Sequence, residues 1–433
     1  MAKGDLWPAC APDPTLARAH PSVPVSHLSS SAVDSPMKIA HITAIDMALR
    51  YLLLNQLRCA QAAGYQVVGI SSPGSACSTL EAAGIRHIGV PISRRLTPLR
   101  DIVSLWKLYR VLRAERFTIV HTHTPKPGLL GQLAARMAGV PVIVNTVHGF
   151  YFHDDMHPAW RRFYITVEKV AARHSDVILC VNSEDVQTAI REGICSPEKI
   201  KCLGSGIDVE RFDRSRLDPD RIDTLRAEMG LPADAPVVGF VGRLVYEKGL
   251  VELFQAACDI RARVPNVHFL FVGPIDTDKA DALRPEKAAE YGIADICHFP
   301  GVRQDMPEMY ALMDVLALPS HREGFPRAPM EASSMRVPCV VTDIRGCREA
   351  VEHRRNGLLV PLYNLDSLAA AIVELLTDPE LAVALGAAGR DLAMERFDER
   401  PVFRRVLAEY ERLLHEKGIQ APRIVAPVGE VLV

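Results

Sequence analysis

Short apolar runs rich in branched residues alternate with longer amphipathic stretches from Met37 almost to the end of the chain. KIAHIT (38–43) reads as a strand, and MALRYLLLNQLRCAQAAG (47–64) as a helix that stops at Gly64, the residue type that closes helices most readily. YQVVGI is the next strand, PLRDIVSLWKLYRVLRAE (98–115) a long amphipathic helix, and FTIVHTH the strand after it. Helix LLGQLAARMAG, strand PVIVNTVHG, helix AWRRFYITVEKVAARH and strand DVILCVN complete this first series. Strands apolar throughout, separated by helices of about ten residues or more, predict a parallel sheet covered on both faces.

A polar stretch, DVERFDRSRLDPDRIDTLRAEMGLPADAP, precedes a second series. It runs through strand VVGFVG, helix GLVELFQAACDIRARV and strands VHFLFVG, ICHFPG, DVLALP and PCVVTD, then helices LDSLAAAIVELL and RPVFRRVLAEYERLLHEKG. The prediction is an α/β protein of two doubly wound, Rossmann-like domains, 37–205 and 206–399, linked near 205–235. A helix at about 400–417 closes the series, leaving 418–433 as a tail. No repeat of about 20–50 residues is present, which excludes a solenoid.

Composition narrows the class. A chain of 433 residues is too long for one ordinary core. No apolar run approaches the roughly 18–20 residues that cross a bilayer. A net charge of −2 gives no reason to expect a nucleic-acid partner. Charge is unevenly spread, however: Met37 to Val181 holds 17 Lys/Arg against 8 Asp/Glu, which suits an anionic partner for that half. The ten cysteines form no CxxC pair, and Cys59, Cys180 and Cys339 fall in or beside apolar runs, as buried free thiols do. A reducing cytoplasm is the expected compartment. Residues 1–36, rich in Pro, Ser and Ala without a continuous apolar segment, read as a disordered tail upstream of a start at Met37.

The chemistry gathers at strand ends in the second half. VVGFVG is followed by Arg243 and then Lys248 where a helix begins, a combination suited to phosphate. In HREGFPRAPMEASS (321–334), Glu323 follows a buried strand and Glu331 lies on the next helix, so both can face one crevice of a parallel sheet. No Walker A sequence is present, and GSGID (204–208) is only part of a dinucleotide fingerprint.

VGRLVYEKGL, HREGFPRAPMEA, TDIRGCREAV and NGLLVP, in this order and spacing, resemble the C-terminal half of family 4 glycosyltransferases, retaining enzymes of the GT-B fold. The style is that of bacterial enzymes of capsule, exopolysaccharide and glycan assembly. The resemblance implies that Glu331 accepts hydrogen bonds from a nucleotide ribose and that Glu323 addresses the donor sugar at the reacting centre. It also implies that Arg243 and Lys248 grip the donor diphosphate, with backbone N–H groups around Gly324 and Phe325 assisting. His148 in NTVHGF would contact the donor sugar, and the closing helix at about 400–417 would cross back to the first domain, as in relatives. The expected partners are a nucleoside-diphosphate sugar, UDP-hexose or UDP-N-acetylhexosamine, and a glycolipid or oligosaccharide acceptor carried on polyprenyl diphosphate, with no cofactor.

Acceptor-side candidates are Asp46, as a helper base, Arg50, and Lys126 in HTHTPKPG, either a second anion site or a solvated helix-start lysine. TAIDMALR after the first strand lacks the Gly-Gly loop of many relatives, which leaves the acceptor open. His121, His123, His153 and His157 match no metal-binding spacing, and Asp218/Asp220 and Asp276/Asp278 are chance pairs, so no metal is expected. Arg100, Lys107, Arg110, Arg113 and Arg116 around Trp106, with Trp160, Arg161 and Arg162, suit peripheral contact with an anionic membrane, on its cytoplasmic face. They suit equally the polar outer face of a helix packed on its own sheet. Two rival readings remain: a UDP-sugar 2-epimerase of the same fold and a non-catalytic carbohydrate-binding relative.

Overall fold

The computed structural model describes residues 36–95, 97–123, 125–153, 156–276 and 281–422. Of the expected tails, residues 1–35 and 423–433 lie outside them. Two compact units result, one ending at Gly204 and resuming at Phe403, the other Ser205–Val402.

The first unit is built on β1 (Lys38–Ile45), β2 (Gln66–Ser72), β3 (Arg86–Gly89), β4 (Ile119–His123), β5 (Val142–Val147), β6 (Val177–Cys180) and β7 (Ile200–Cys202). They form one sheet in the order β3-β2-β1-β4-β5-β6-β7, every pair parallel. The second unit holds β8 (Val237–Val241), β9 (His268–Val272), β10 (Cys297–Gly301), β11 (Val315–Leu318), β12 (Cys339–Thr342) and β13 (Gly357–Val360). Their order is β10-β9-β8-β11-β12-β13, again wholly parallel.

Each order reverses direction once, between β1 and β4 and between β8 and β11. At such a point the crossover helices leave on opposite faces, and a crevice opens beyond the carboxyl ends of the two strands. These are the places where each unit can hold a ligand.

Two expectations need correcting. The stretch 205–235 is no free linker: Ile207, Val209, Phe212, Leu225 and Leu231 are buried in the core of the second unit, and Pro219–Glu228 is a helix. Asp218 caps that helix, its Oδ1 accepting from the Asp220 N–H at 3.1 Å, which explains one Asp-x-Asp pair. TAIDMALR is likewise not a loop: β1 continues through Ile45 and helical turns start at Asp46, passing through a π-helical segment at Leu49–Leu53. With no loop there, no glycine is needed.

The closing helix, Glu399–Glu416, carries the chain from the second unit back to the first. Tyr410 and Leu414 on it are fully buried, and the Tyr410 hydroxyl lies 2.6 Å from His121 Nδ1. Cys59, Cys180 and Cys339 are buried. Among the described residues no helix is long and apolar enough to cross a membrane.

Candidate functional site

In the second unit Lys248 and Glu323 meet beyond the reversal between β8 and β11. Lys248 ends a short 3-10 turn, Tyr246–Lys248, and Gly249 then opens the helix Leu250–Arg263. Gly249 has φ +72°, and a Cβ there would stand 1.9 Å from the Pro319 carbonyl oxygen. Only glycine lets this helix start press against the end of β11. That approach sets Lys248 Nζ 2.5 Å from Glu323 Oε1, which also accepts from Ser320 Oγ at 2.7 Å. The Glu323 loop is fixed on its other side too. His321 donates its N–H to the Glu247 carbonyl at 2.9 Å, and its Nε2 lies 2.8 Å from Glu252 Oε1.

Arg243 follows β8 directly, with Nη1 2.7 Å from Asp276 Oδ2. Asp276 was set aside in the sequence as half of a chance pair; it anchors this arginine, while Asp278 lies outside the described residues. Glu331 sits on the helix Arg327–Ser334, where Oε2 accepts from the Tyr310 hydroxyl at 2.8 Å and Oε1 lies 3.5 Å from Arg327 Nε. Burial pushes its carboxyl above the ordinary glutamate value, although Arg327 and Tyr310 pull the other way. Phe325 packs edge-on to Phe397, and the Gly324 carbonyl is approached so closely that a Cβ on Gly346 would stand 2.5 Å from it. Lys248 and Glu323 thus pair with each other, while Arg243 is held by Asp276, Glu323 also by Ser320, and Glu331 by Tyr310 and Arg327, neighbours that sequence reasoning did not assign. Only the i,i+4 spacing of Arg327 and Glu331 was a usable signal.

The first unit treats the acceptor-side candidates differently. Asp46 is buried, accepting from the Ala76 N–H at 2.6 Å through Oδ2 and from the Met47 N–H at 2.9 Å through Oδ1. It organises the 74–77 turn rather than standing open as a base. Lys126 Nζ lies 2.5 Å from Asp101 Oδ1, 2.5 Å from the Arg95 carbonyl and 3.3 Å from Thr97 Oγ1. Its charge ties two segments together instead of awaiting an anion. The Arg50 guanidinium lies over the Tyr51 ring at 4.8 Å.

His148 comes directly after β5, at the carboxyl end of the sheet. Three further histidines share its face. His41 and His121 are register partners across β1 and β4, and His123 is two residues beyond His121. Nitrogens of His41, His121 and His123 lie within 4.8 Å of one another. An ion there would compete with existing bonds: His41 Nδ1 to His123 Nε2 (3.0 Å), His121 Nδ1 to Tyr410 Oη (2.6 Å) and His121 Nε2 to Thr146 Oγ1 (2.7 Å). The His121 and His123 rings are also stacked, centroids 4.2 Å apart, so their in-plane lone pairs do not converge. His157 instead caps the helix Pro158–Ala172.

Burial lowers all four imidazoles, His41 to about 3, His148 to about 4, and His121 and His123 well below their ordinary value. The unfolded chain, with pKa near 6.5, therefore takes up protons first as pH falls. Stability held above pH 6.5 is lost below it, by about 1.4 kcal/mol per pH unit for each histidine. Urea unfolding between pH 7.5 and 5 checks this. His41→Phe is expected to lower the slope against pH by about one proton, and an unchanged slope would count against the assignment.

The comparisons with known proteins now bear on this geometry. Residues 221–392 match the model described as "Glycosyl transferases group 1", and residues 51–211 the model described as "Glycosyltransferase Family 4". The chain is 33% identical over 302 residues to the Escherichia coli UDP-Gal:alpha-D-GlcNAc-diphosphoundecaprenol alpha-1,3-galactosyltransferase, spanning 69% of this chain and 77% of that protein. The chain is a family 4 glycosyltransferase. The Staphylococcus aureus capsular polysaccharide biosynthesis glycosyltransferase CapM is 26% identical, over 88% of this chain and 98% of its own. Among solved structures, Anabaena HepE in complex with UDP-glucose superposes with a TM-score of 0.74 at 21% identity, covering 87% of this chain and all of HepE. The two parallel Rossmann-like sheets of this glycosyltransferase are thus those of the GT-B fold.

Proposed function

We propose that this glycosyltransferase moves a hexose or N-acetylhexosamine from a UDP-sugar, with retention, to a sugar hydroxyl of a polyprenyl-diphosphate-linked acceptor in bacterial polysaccharide or glycan assembly. The observation that carries the reading is the relationship to an enzyme named for UDP-Gal and a diphosphoundecaprenol-linked GlcNAc. Supporting it, Arg243 and Lys248 are cations that follow β8, beside the strand-order reversal where doubly wound domains bind ligands. In the reaction the bond from the anomeric carbon to the diphosphate oxygen breaks, and the acceptor oxygen bonds to the same face. The acceptor proton passes to the departing phosphate. Lys248 and Arg243 stabilise the charge developing there, so no metal is required of the mechanism. Glu331 accepts from the ribose hydroxyls, and Glu323 and His148 address the sugar.

The acceptor's lipid places the enzyme against a membrane. On the helix Pro98–Glu115, Leu99, Ile102, Val103 and Trp106 are more than half exposed beside Arg100, Lys107 and Arg110. Trp160 and Phe163 add exposed aromatics on the helix Pro158–Ala172. Apolar side chains flanked by cations suit an anionic lipid surface.

The test is incubation of UDP-sugars with polyprenyl-diphosphate-GlcNAc on anionic and neutral vesicles in EDTA, followed by product linkage analysis. An α-linked product, favoured by anionic vesicles, is expected. Inversion, epimerised donor without transfer, or dependence on added metal would each overturn the corresponding part. Equal activity on both vesicle types would remove the membrane contact.

A further inference from the structure

Three histidines form a continuous hydrogen-bonded chain from the middle of the first sheet to its carboxyl edge. His41 Nδ1 lies 3.0 Å from His123 Nε2, and His123 Nδ1 lies 3.1 Å from His148 Nε2. The parallel register makes the chain: His41 stands opposite His121 on the neighbouring strand, His123 is two residues on, and His148 extends the line of β5 that places Thr146 opposite His123. All point to one face because side chains alternate along each strand. His41 and His123 are fully buried. His41 Nε2, the inner end, is buried without a hydrogen-bond partner among the described residues.

Proton counting decides what this chain does. Burial keeps the three rings neutral at ordinary pH, so each holds one proton. Each nitrogen–nitrogen contact takes one of these protons, and the third must sit at one end. Only two arrangements satisfy both contacts. In one, His41 Nδ1–H donates to His123, His123 Nδ1–H donates to His148 Nε2, and His148 is left with Nδ1–H. In the other every bond reverses, and the spare proton lies on His41 Nε2, a buried N–H with no acceptor. Buried donors without acceptors are among the rarest features of folded proteins. The first arrangement leaves only a lone pair unmatched.

We propose that His41 and His123 are positioning residues that fix the tautomer of His148, so that it presents Nδ1–H outward as a hydrogen-bond donor at the carboxyl edge of the first sheet. Whether that donor meets the transferred sugar rests on the function proposed above; the tautomer itself does not. His121 stands outside the chain, both its nitrogens being taken by Tyr410 and Thr146. It therefore supplies a control through Tyr410→Phe, which alters the same buried cluster without touching the relay.

The experiment is nitrogen-15 NMR of the free, full-length protein labelled in histidine, with His148 assigned by His148→Gln. The wild type is expected to show His148 protonated at Nδ1. His41→Phe and His123→Phe free the bond and shift His148 towards protonation at Nε2, while Tyr410→Phe leaves it unchanged. A wild-type His148 protonated at Nε2 overturns the proposal, a result that needs no variant to fold. An unchanged tautomer in a folded His123→Phe variant overturns it as well. Transfer assays with a UDP-sugar then separate the two readings. Losing one oriented donor to the sugar should lower kcat/KM about fivefold to tenfold in His41→Phe. A shifted tautomer with unchanged kcat/KM would leave the relay standing and remove His148 from the donor site.

Discussion

Glu331→Ala is expected to weaken UDP binding about tenfold or more, measured calorimetrically in EDTA. The size follows from losing one charge-assisted hydrogen bond to the ribose, worth ~1.5–3 kcal/mol. The structure supplies the orientation: Tyr310 and Arg327 hold the carboxylate from two sides, on a helix that starts just beyond β11. Because burial raises the Glu331 carboxyl, acid protonates it sooner than an ordinary glutamate, and the same affinity should fade as pH falls. Glu331→Gln, which keeps the shape and loses the charge, should fall between. Wild-type affinity in a folded Glu331→Ala protein would mean that the residue serves only to satisfy Tyr310.

Lys248→Met should lower kcat by about 10²–10³-fold, the usual consequence of removing one donor that stabilises transition-state charge. UDP affinity should change much less. Lys248 and Glu323 are a largely buried pair, with side chains 18% and 8% exposed. Removing one partner therefore also costs about 3–5 kcal/mol of stability through the charge left behind. The double variant Lys248→Met/Glu323→Gln removes both charges and is expected to melt closer to wild type while remaining inactive. If it regains activity along with stability, Lys248 is structural and the diphosphate depends on Arg243.

The strands easiest to read in the sequence were those lying inside each sheet. VVGFVG, VHFLFVG and DVLALP must be apolar on both faces because helices cover both, so their pattern is continuous. The edge strands β3 and β7 are not recognised, for the opposite reason. RHIG in β3 has no fully buried residue, and β7 is only three residues long. The helix Pro379–Arg396 was also missed, although Asp378 and Pro379 form a start signal. Its apolar residues follow no clean stripe because it meets its neighbours through small residues: a Cβ on Gly386 would stand 2.3 Å from the Arg336 carbonyl.

For the candidate site, motif spacing together with the family resemblance singles out Arg243, Lys248, Glu323 and Glu331 as candidates: Arg243 and Glu323 come after recognisable strands, Lys248 precedes a helix and Glu331 lies on one. What holds them could not be read. Asp276 and Tyr310 reach them from 33 and 21 residues away, and a carboxylate that anchors an arginine looks in sequence like any other. Asp46 and Lys126 show the converse. Both looked open for chemistry, and both turn out to be satisfied by backbone or by Asp101, because a charge near a sheet must find a partner before it can be buried.

Local chemistry thus determined that this chain would fold as two parallel α/β units and which charged residues would fall near the strand ends. Hydrophobic period and turn residues act over a few positions, and a few positions suffice for that. Only the tertiary structure decided which side chains meet. His41 is 82 residues from His123, and Tyr410 is 289 from His121. The parallel register and the returning helix bring them together, and no pattern confined to neighbouring residues carries that information.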